Sequence, residues 1–279
     1  MSTADGEVRV LAAGGDPGKV VFSGVGKTRE EIAFGLDCGI MQFNAESEEE
    51  LDVLSDVATS KSKRAAVSLR INPDVDALTH AKISTGRAEN KFGIAWHRAE
   101  AAYQHASRLP GIDVTGVDAH IGSQITDLSP FSDAFALLSD FVRELRSDGH
   151  TISHVDLGGG LGIAYTPDDK PIAIDEYAET LLAAVADAWR TYDLGGPPRV
   201  MVEPGRSIAA VAGITLYRVG TVKRIAGGRT YVAVDGGMSD NPRPVLYGAG
   251  YEAFLADRPA APRPLACAVA GKHCEQGDV

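Results

Sequence analysis

No run of this chain reaches the roughly eighteen consecutive apolar residues that a membrane-crossing helix requires. Its first residues, Met1-Ser2-Thr3-Ala4-Asp5-Gly6-Glu7, have neither the basic region nor the apolar core of a secretory leader. Cysteine is scarce: Cys38, Cys267 and Cys274 share no repeated spacing, which speaks against a disulfide framework and points to a reducing cytoplasm. Basic residues are outnumbered, 27 to 38, for a formal charge of −11. Gripping a phosphate backbone needs a concentrated basic face, so nucleic acid is a poor partner. His80, His97, His105, His150, His154 and His273 form no metal-ligand spacing. Two nucleotide motifs also fail. Ser23-Gly24-Val25-Gly26-Lys27-Thr28 ends like a P-loop but has Val21 where the first glycine belongs, and Gly158 to Ile163 lacks the third glycine of a dinucleotide fingerprint.

What is present is a soluble α/β composition, 44% hydrophobic with 31 glycines, in a chain of 279 residues that can bury a large core. Short β-branched runs predict strands at Val20–Ser23, Ile40–Asn44, Ala65–Ile71, Val114–His120, His154–Leu157 and Val200–Glu203. Helical patterns fall between them at Thr28–Leu36, Glu48–Thr59, Arg98–Arg108, Pro130–Asp148 and Ile174–Thr191. Ser47 followed by Glu50 predicts a capping box on the second of these. The strands end in polar or glycine residues, the arrangement that gathers function at one face of a (β/α)₈ barrel. Only six such units are legible, leaving a complete doubly wound sheet with a β appendage as the alternative. Beyond Ser207 the pattern changes. Ile214–Tyr217, Thr221–Ile225, Thr230–Val234 and Leu265–Val269 read as strands, with a hairpin at Gly227-Gly228, while 242–247 and 258–264 read as irregular.

Candidate chemistry sits at strand ends. Gly158-Gly159-Gly160 leaves backbone N–H groups free of Cβ obstruction, so they can converge on a phosphate; Gly205 and Arg206 follow another strand and could complete that cradle. Either turn alone is equally a tight turn in a glycine-rich protein. Glu203 closes an apolar strand, as a site carboxylate or a solvated strand end. His120 leads into Ile121-Gly122-Ser123-Gln124, either as a core histidine or as a flat imidazole against a ring, with Ser123 on phosphate. Cys38 has apolar neighbours and reads as a small core residue, and His105 as a solvated helix residue. Cys274 lies in a polar stretch where burial does not explain it.

These residues, in this order, resemble the diaminopimelate decarboxylases of the alanine-racemase-like fold group. The resemblance runs from Gly6-Glu7 to Asp278. It rests on Phe22 to Thr28, Ile83-Ser84-Thr85-Gly86 with Glu89-Asn90-Lys91-Phe92-Gly93, His120 to Gln124, and Asp156 to Gly160. Glu203-Pro204-Gly205-Arg206, Arg243 to Gly248 and Cys274-Glu275 complete it. It implies a pyridoxal-phosphate-binding (β/α)₈ barrel, here about six units over residues 1–206, followed by part of a C-terminal β-domain over 207–279. His120 would stack on the pyridine ring and Glu203 pair with its nitrogen. Ser123, Gly158, Gly159, Gly160, Pro204, Gly205 and Arg206 would surround the phosphate region. Arg206, Arg243 and Tyr247 would bind a substrate carboxylate, and Glu275 the distal amino group. Cys274 would act as proton donor in a partner's site, across a homodimer, and the loop around Ile83–Gly86 would cover the entrance. The implied reaction converts meso-2,6-diaminopimelate to L-lysine and CO₂, with ornithine or arginine decarboxylation as the alternative.

Family members carry, before the segment matching Gly6-Glu7, two further strands and the lysine that holds the cofactor as a Schiff base. They also continue beyond Glu275 with a tyrosine for the cofactor. None of the nine lysines present has that setting, and Lys27, just past a strand end, is the one substitute worth testing. The expectation is therefore a decarboxylase sequence truncated at both ends and inactive alone, or else a non-catalytic, phosphate-ligand-binding or subunit-like fragment.

Overall fold

The computed structural model describes residues 4–73, 91–191 and 198–278. A first helix, α1 (Ala4–Ala12), precedes strand β1 (Val21–Phe22). Helix–strand alternation then follows: α2 (Arg29–Cys38), β2 (Gln42–Ala45), α3 (Glu48–Ser60), β3 (Ala65–Asn72), β4 (Ile94–Ala95), α4 (Ala99–Arg108), β5 (Ile112–Asp118), α5 (Ser129–Ser147), β6 (His154–Asp156), α6 (Ile174–Thr191) and β7 (Arg199–Met201). The five long helices and six main strands are those the hydrophobic periodicity predicted, with ends moved by a few residues. Helix α1 and the two-residue strand β4 were not anticipated.

Helix starts obey side-chain competition. At α2 the Thr28 hydroxyl accepts the Glu31 N–H at 3.2 Å, and the Glu31 carboxylate accepts the Thr28 N–H at 2.8 Å. This is a full capping box. The one expected at α3 forms only by half. Ser47 accepts the Glu50 N–H at 3.1 Å, but the Glu50 carboxylate turns to the Glu46 N–H at 2.9 Å and the Lys27 ammonium at 2.6 Å. A buried cation outbids the reciprocal cap.

The strands pair in parallel in the order β1-β2-β3-β5-β6-β7, with β4 added to β3. Helices cover the sheet with apolar faces: Leu51 and Leu54 of α3, Tyr103 of α4, Leu138 and Val142 of α5, and Tyr177 and Leu181 of α6 are all buried. Tyr103 also donates its hydroxyl to the Gly116 carbonyl at 2.8 Å, so its polar tip is satisfied inside the core. The sheet curls strongly. Ser23, just after the first strand in the order, donates to Glu203, just after the last, at 2.6 Å. The two terminal strands thus bring their C-terminal ends together around a polar interior, as an incomplete barrel of the alanine-racemase type does.

The chain divides into two compact units, Met1–Gly162 with Ile172–Ser207, and Ile163–Pro171 with Ile208–Val279. The segment Ile163–Pro171 groups with the later residues because Tyr165 packs edge-on against Tyr251 at 5.4 Å and lies under the Arg243 guanidinium at 5.1 Å. Helix α7 (Arg206–Ala209) is a single turn. In the second unit β8 (Val219–Arg224) and β9 (Thr230–Val234) form the expected hairpin, with Gly227 in the left-handed region at φ 70°, and β10 (Ala268–Ala270) joins β9 in parallel. Two local expectations are corrected. Ile214–Tyr217 is not a strand; Ile214 and Leu216 stay over 70% exposed with no ladder partner among the described residues. The stretch 242–247 is not irregular: Pro244 starts rather than breaks the short helix α8 (Arg243–Tyr247), which Gly248 ends at φ 62°.

Candidate functional site

The C-terminal ends of β5, β6 and β7 converge on the glycine turn. Gly158 has φ 67° and Gly160 φ 109°, conformations that L side chains rarely adopt. A Cβ on Gly159 would run into the Glu203 carbonyl oxygen and lie 3.6 Å from His120 Cε1, so imidazole and carboxylate residue flank one peptide. The turn's amides are used differently from the sequence expectation. Gly158 N–H donates to Asp156 Oδ1 and Gly159 N–H to His120 Nδ1, each at 3.0 Å. Two of the three N–H groups therefore build the site rather than face a ligand. Only Gly160 N–H lacks an acceptor among the described residues. Accepting a backbone proton at Nδ1 suits a neutral imidazole. Burial, and then the Arg70 guanidinium, push the His120 pKa down to about 4.

Below His120 lies a buried group of carboxyls. Glu46 is ion-paired with Arg70 at 3.0 Å and accepts the Gly24 and Gly93 amides, each at 3.1 Å. Asp118 and Asp156 are both 1% exposed, and Asp118 Oδ1 has no hydrogen-bond partner among the described residues. Burial, then Asp156 and Glu203, hold the Asp118 pKa well above the ordinary carboxyl range. Burial, then Glu203, raise that of Asp156 to about 6. An Asp156 that keeps its proton to about pH 6 when folded, but releases it near 3.8 when unfolded, loses stability as pH rises through that window. Asp156→Asn is therefore expected to gain on the wild type between about pH 4 and 6, by roughly 1–3 kcal/mol, and to keep that gain above. Urea titrations of both proteins at pH 4.5 and 7 check this; a difference that shrinks with pH contradicts it.

Glu203 faces this group with one oxygen held by Ser23 and the other without a donor among the described residues. Arg206, on α7, donates to Gln124 Oε1 at 2.9 Å and Ser123 Oγ at 2.8 Å. Because Ser123 accepts from Arg206, its own proton remains available to an anion. Gly205 is exposed, with open space where a Cβ would stand, and Pro204 is exposed beside it. A flat ring carrying an anion suits this set: a neutral imidazole face, a carboxylate with one open oxygen, and a turn too tight for a side chain beside Gly160 N–H and Ser123. The residues present fit pyridoxal phosphate.

The remaining predicted residues lie in the second unit. Arg243 stacks between Tyr165 and Tyr247, 5.1 and 5.3 Å from the ring centres. Cys274 and Glu275 are exposed, and Glu275 accepts the Gly277 N–H at 3.4 Å. Cys38 is half-buried, and His105 bonds Asp52 at 2.7 Å on the helix surface. The entrance loop at Ile83–Gly86 and residues Glu89-Asn90 lie outside the described residues. Lys27 is spoken for. Its ammonium donates to the Gly24 and Asn44 carbonyls and to Glu50, which takes up all three protons. Sequence reasoning did not single out Gln42, Glu46, Arg70 or Asp118, and read Asn44 only as a polar strand end. The available signal was a polar residue inside an apolar strand, clearest at Arg70 within Val67–Ile71.

Comparison with known proteins agrees with this geometry. Residues 3–210 match the family described as pyridoxal-dependent decarboxylase, pyridoxal binding domain. The diaminopimelate decarboxylase of Pseudomonas aeruginosa is 47% identical over 270 residues, 97% of this chain and 62% of that protein. That of Zymomonas mobilis is 44% identical over 276 residues, covering 98% and 63%. Among solved structures, diaminopimelate decarboxylase from Helicobacter pylori complexed with L-lysine superposes with a TM-score of 0.87 at 34% identity, over 99% of this chain and 66% of that one. The chain thus spans about 62% of the length of the curated relatives it matches. By sequence, fold and the residues around its glycine turn, the chain belongs to the pyridoxal-dependent decarboxylases, with residues 3–210 matching their pyridoxal-binding domain.

Proposed function

We propose that this chain forms the pyridoxal-phosphate-binding part of a diaminopimelate decarboxylase, which converts meso-2,6-diaminopimelate to L-lysine and CO₂. The observation that carries the reading is the pair His120 and Glu203 on either side of the Gly158–Gly159 peptide, joined by hydrogen bonds of 3.0 Å to Gly159 and 2.7 Å to Gly158. Bound there, the cofactor supplies an electron-accepting ring for the pair left when the Cα–carboxylate bond breaks. The protein's share is placement and charge. Glu203 keeps the ring nitrogen protonated, His120 covers one ring face as a neutral imidazole, and Gly160 with Ser123 and Arg206 anchors the phosphate.

The substrate roles follow the resemblance. Arg206, Arg243 and Tyr247 bind the carboxylate that is retained, Glu275 reads the distal amino group, and Cys274 returns a proton to Cα after CO₂ leaves. Cys274 and Glu275 do so across a homodimer in the cytoplasm. The exposure of both side chains is compatible with that reading.

Titrating the chain with pyridoxal phosphate tests the first half: Glu203→Gln and His120→Ala should each weaken binding at least about tenfold, by 1.4 kcal/mol or more. Product analysis of the complete gene product tests the second. L-lysine should form from meso-2,6-diaminopimelate; putrescine from ornithine or agmatine from arginine in its place overturns the substrate assignment.

A further inference from the structure

A line of hydrogen-bonded side chains that the proposed reaction does not use starts at half-buried His154, runs through the buried interior of the sheet and ends on Glu203. His154 Nδ1 lies 3.0 Å from Gln42 Oε1. Gln42 Nε2 donates to Asn44 Oδ1 at 2.9 Å, Asn44 Nδ2 to Ser23 Oγ at 3.2 Å, and Ser23 Oγ to Glu203 Oε1 at 2.6 Å. Gln42 and Asn44 are two residues apart on β2, so the strand's alternation turns both inward; both are fully buried, and Ser23 is nearly so. An amide oxygen can only accept, so His154 carries its proton on Nδ1. Every link therefore donates in one direction, toward Glu203.

The direction matters because three carboxyls compete for charge in this space. Asp118, Asp156 and Glu203 repel one another, while Arg70, already paired with Glu46, and the neutral His120 are the neighbouring bases. They cannot all ionise at low cost in so dry a setting. The chain of donors ends on one of them. Aligned hydrogen bonds polarise one another, and the last is a short O–H to a carboxylate oxygen, the kind that favours the ionised form.

We infer that Ser23, with Asn44 and Gln42 behind it, is a positioning residue whose hydrogen bond favours the ionised form of Glu203 and fixes its orientation for the ring nitrogen of the cofactor. The inference rests on the proposed cofactor role of Glu203, but the Ser23 bond and its bias toward the carboxylate are a property of the protein alone. Asn44 also reaches Asp156 Oδ2 at 3.5 Å, a distance too long to compete with the Ser23 bond.

The test therefore has two arms. In the protein without cofactor, carboxyl ¹³C NMR follows the glutamate side chains against pH in the wild type, Ser23→Ala and Ser23→Thr, with Glu203→Gln used to assign the resonance. Ser23→Ala is expected to move the Glu203 titration midpoint to higher pH by about one unit, a tenfold loss of the ionised form at fixed pH, and Ser23→Thr to restore it. An unmoved midpoint in Ser23→Ala overturns the inference. Asn44→Ala, which leaves the Ser23 hydroxyl in place, should shift the midpoint less in the same sense, and serves if Ser23→Ala loses its cooperative thermal transition. In the second arm, ¹⁵N-labelled pyridoxamine 5′-phosphate, which needs no covalent attachment, reports the protonation of its ring nitrogen when bound. Ser23→Ala should deprotonate that nitrogen at lower pH than the wild type does. If the wild type fails to bind this probe, the cofactor reading of the site falls, while the carboxyl titration still decides the role of Ser23.

Discussion

Lys27→Met is expected to cost about 3–5 kcal/mol of folding stability, the range found when one partner of a buried ion pair is removed. The Lys27 side chain is 1% exposed and that of Glu50 11%. The ammonium bonds the Gly24 and Asn44 carbonyls at 2.7 Å each and the Glu50 carboxylate at 2.6 Å. Burial already raises the Glu50 pKa, with Lys27 first among the influences that oppose it. Methionine fills most of the same volume but abandons two carbonyls and a carboxylate. The loop after β1 then loses its tie to the end of β2. Chemical denaturation measures the loss, and a change below about 1 kcal/mol refutes the account. Removing both charges, as Lys27→Met with Glu50→Leu, should recover much of the loss, since no unpaired ion is left inside. The same three bonds predict that borohydride, added with pyridoxal phosphate, leaves Lys27 unlabelled. An ammonium with every proton engaged in a dry pocket is a poor nucleophile.

Gly158→Ala is expected to lose roughly 2–5 kcal/mol and to weaken pyridoxal-phosphate binding at least tenfold. Two independent costs add. The left-handed backbone at φ 67° penalises any Cβ by about 1–2 kcal/mol. The new methyl would also lie 2.5 Å from the Ala119 carbonyl oxygen and 2.9 Å from His120 Cβ and Nδ1, and forced overpacking of this kind typically costs about 1–3 kcal/mol. The first atoms to yield are those of His120, and the Gly158 carbonyl that accepts the Glu203 N–H moves with them. Binding should fall for that reason even in the fraction that stays folded. Gly205→Ala is the control. With no positive φ and nothing near its Cβ, it should change stability by no more than about 0.5 kcal/mol. Similar losses at both positions contradict the steric explanation.

The long elements were legible in the sequence because their signals are periodic and local. Helix α6 spans Ile174–Thr191 as its apolar repeat indicates, and β9 spans Thr230–Val234. What escaped depends on neighbours distant in sequence. The two-residue strand β4 exists because β3 offers Ile71 and Asn72 as partners, and no pattern within Ile94–Ala95 announces it. Ser47 carries the right cap signature, yet Lys27, twenty residues earlier, diverts the glutamate that would complete it. At the site, Gly158–Gly160, His120 and Glu203 stood out because glycine runs and polar strand ends are visible in one dimension. The use of the Gly158 and Gly159 amides by Asp156 and His120 was not visible, since it depends on how adjacent strands align. The inward pair Gln42 and Asn44 was hidden for a related reason. Polar residues alternating along a strand ordinarily signal a solvent face, and only the curl of the sheet turns that face inside.

That curl gives the Ser23–Glu203 bond a second meaning. It joins the tips of the first and last strands of the crescent, across which the described residues form no ladder. Any breathing that spreads the two tips must stretch this 2.6 Å link while the apolar layer between sheet and helices stays intact. The molecule thus carries its own strain gauge, and the reading is taken at the carboxylate on which the site is centred.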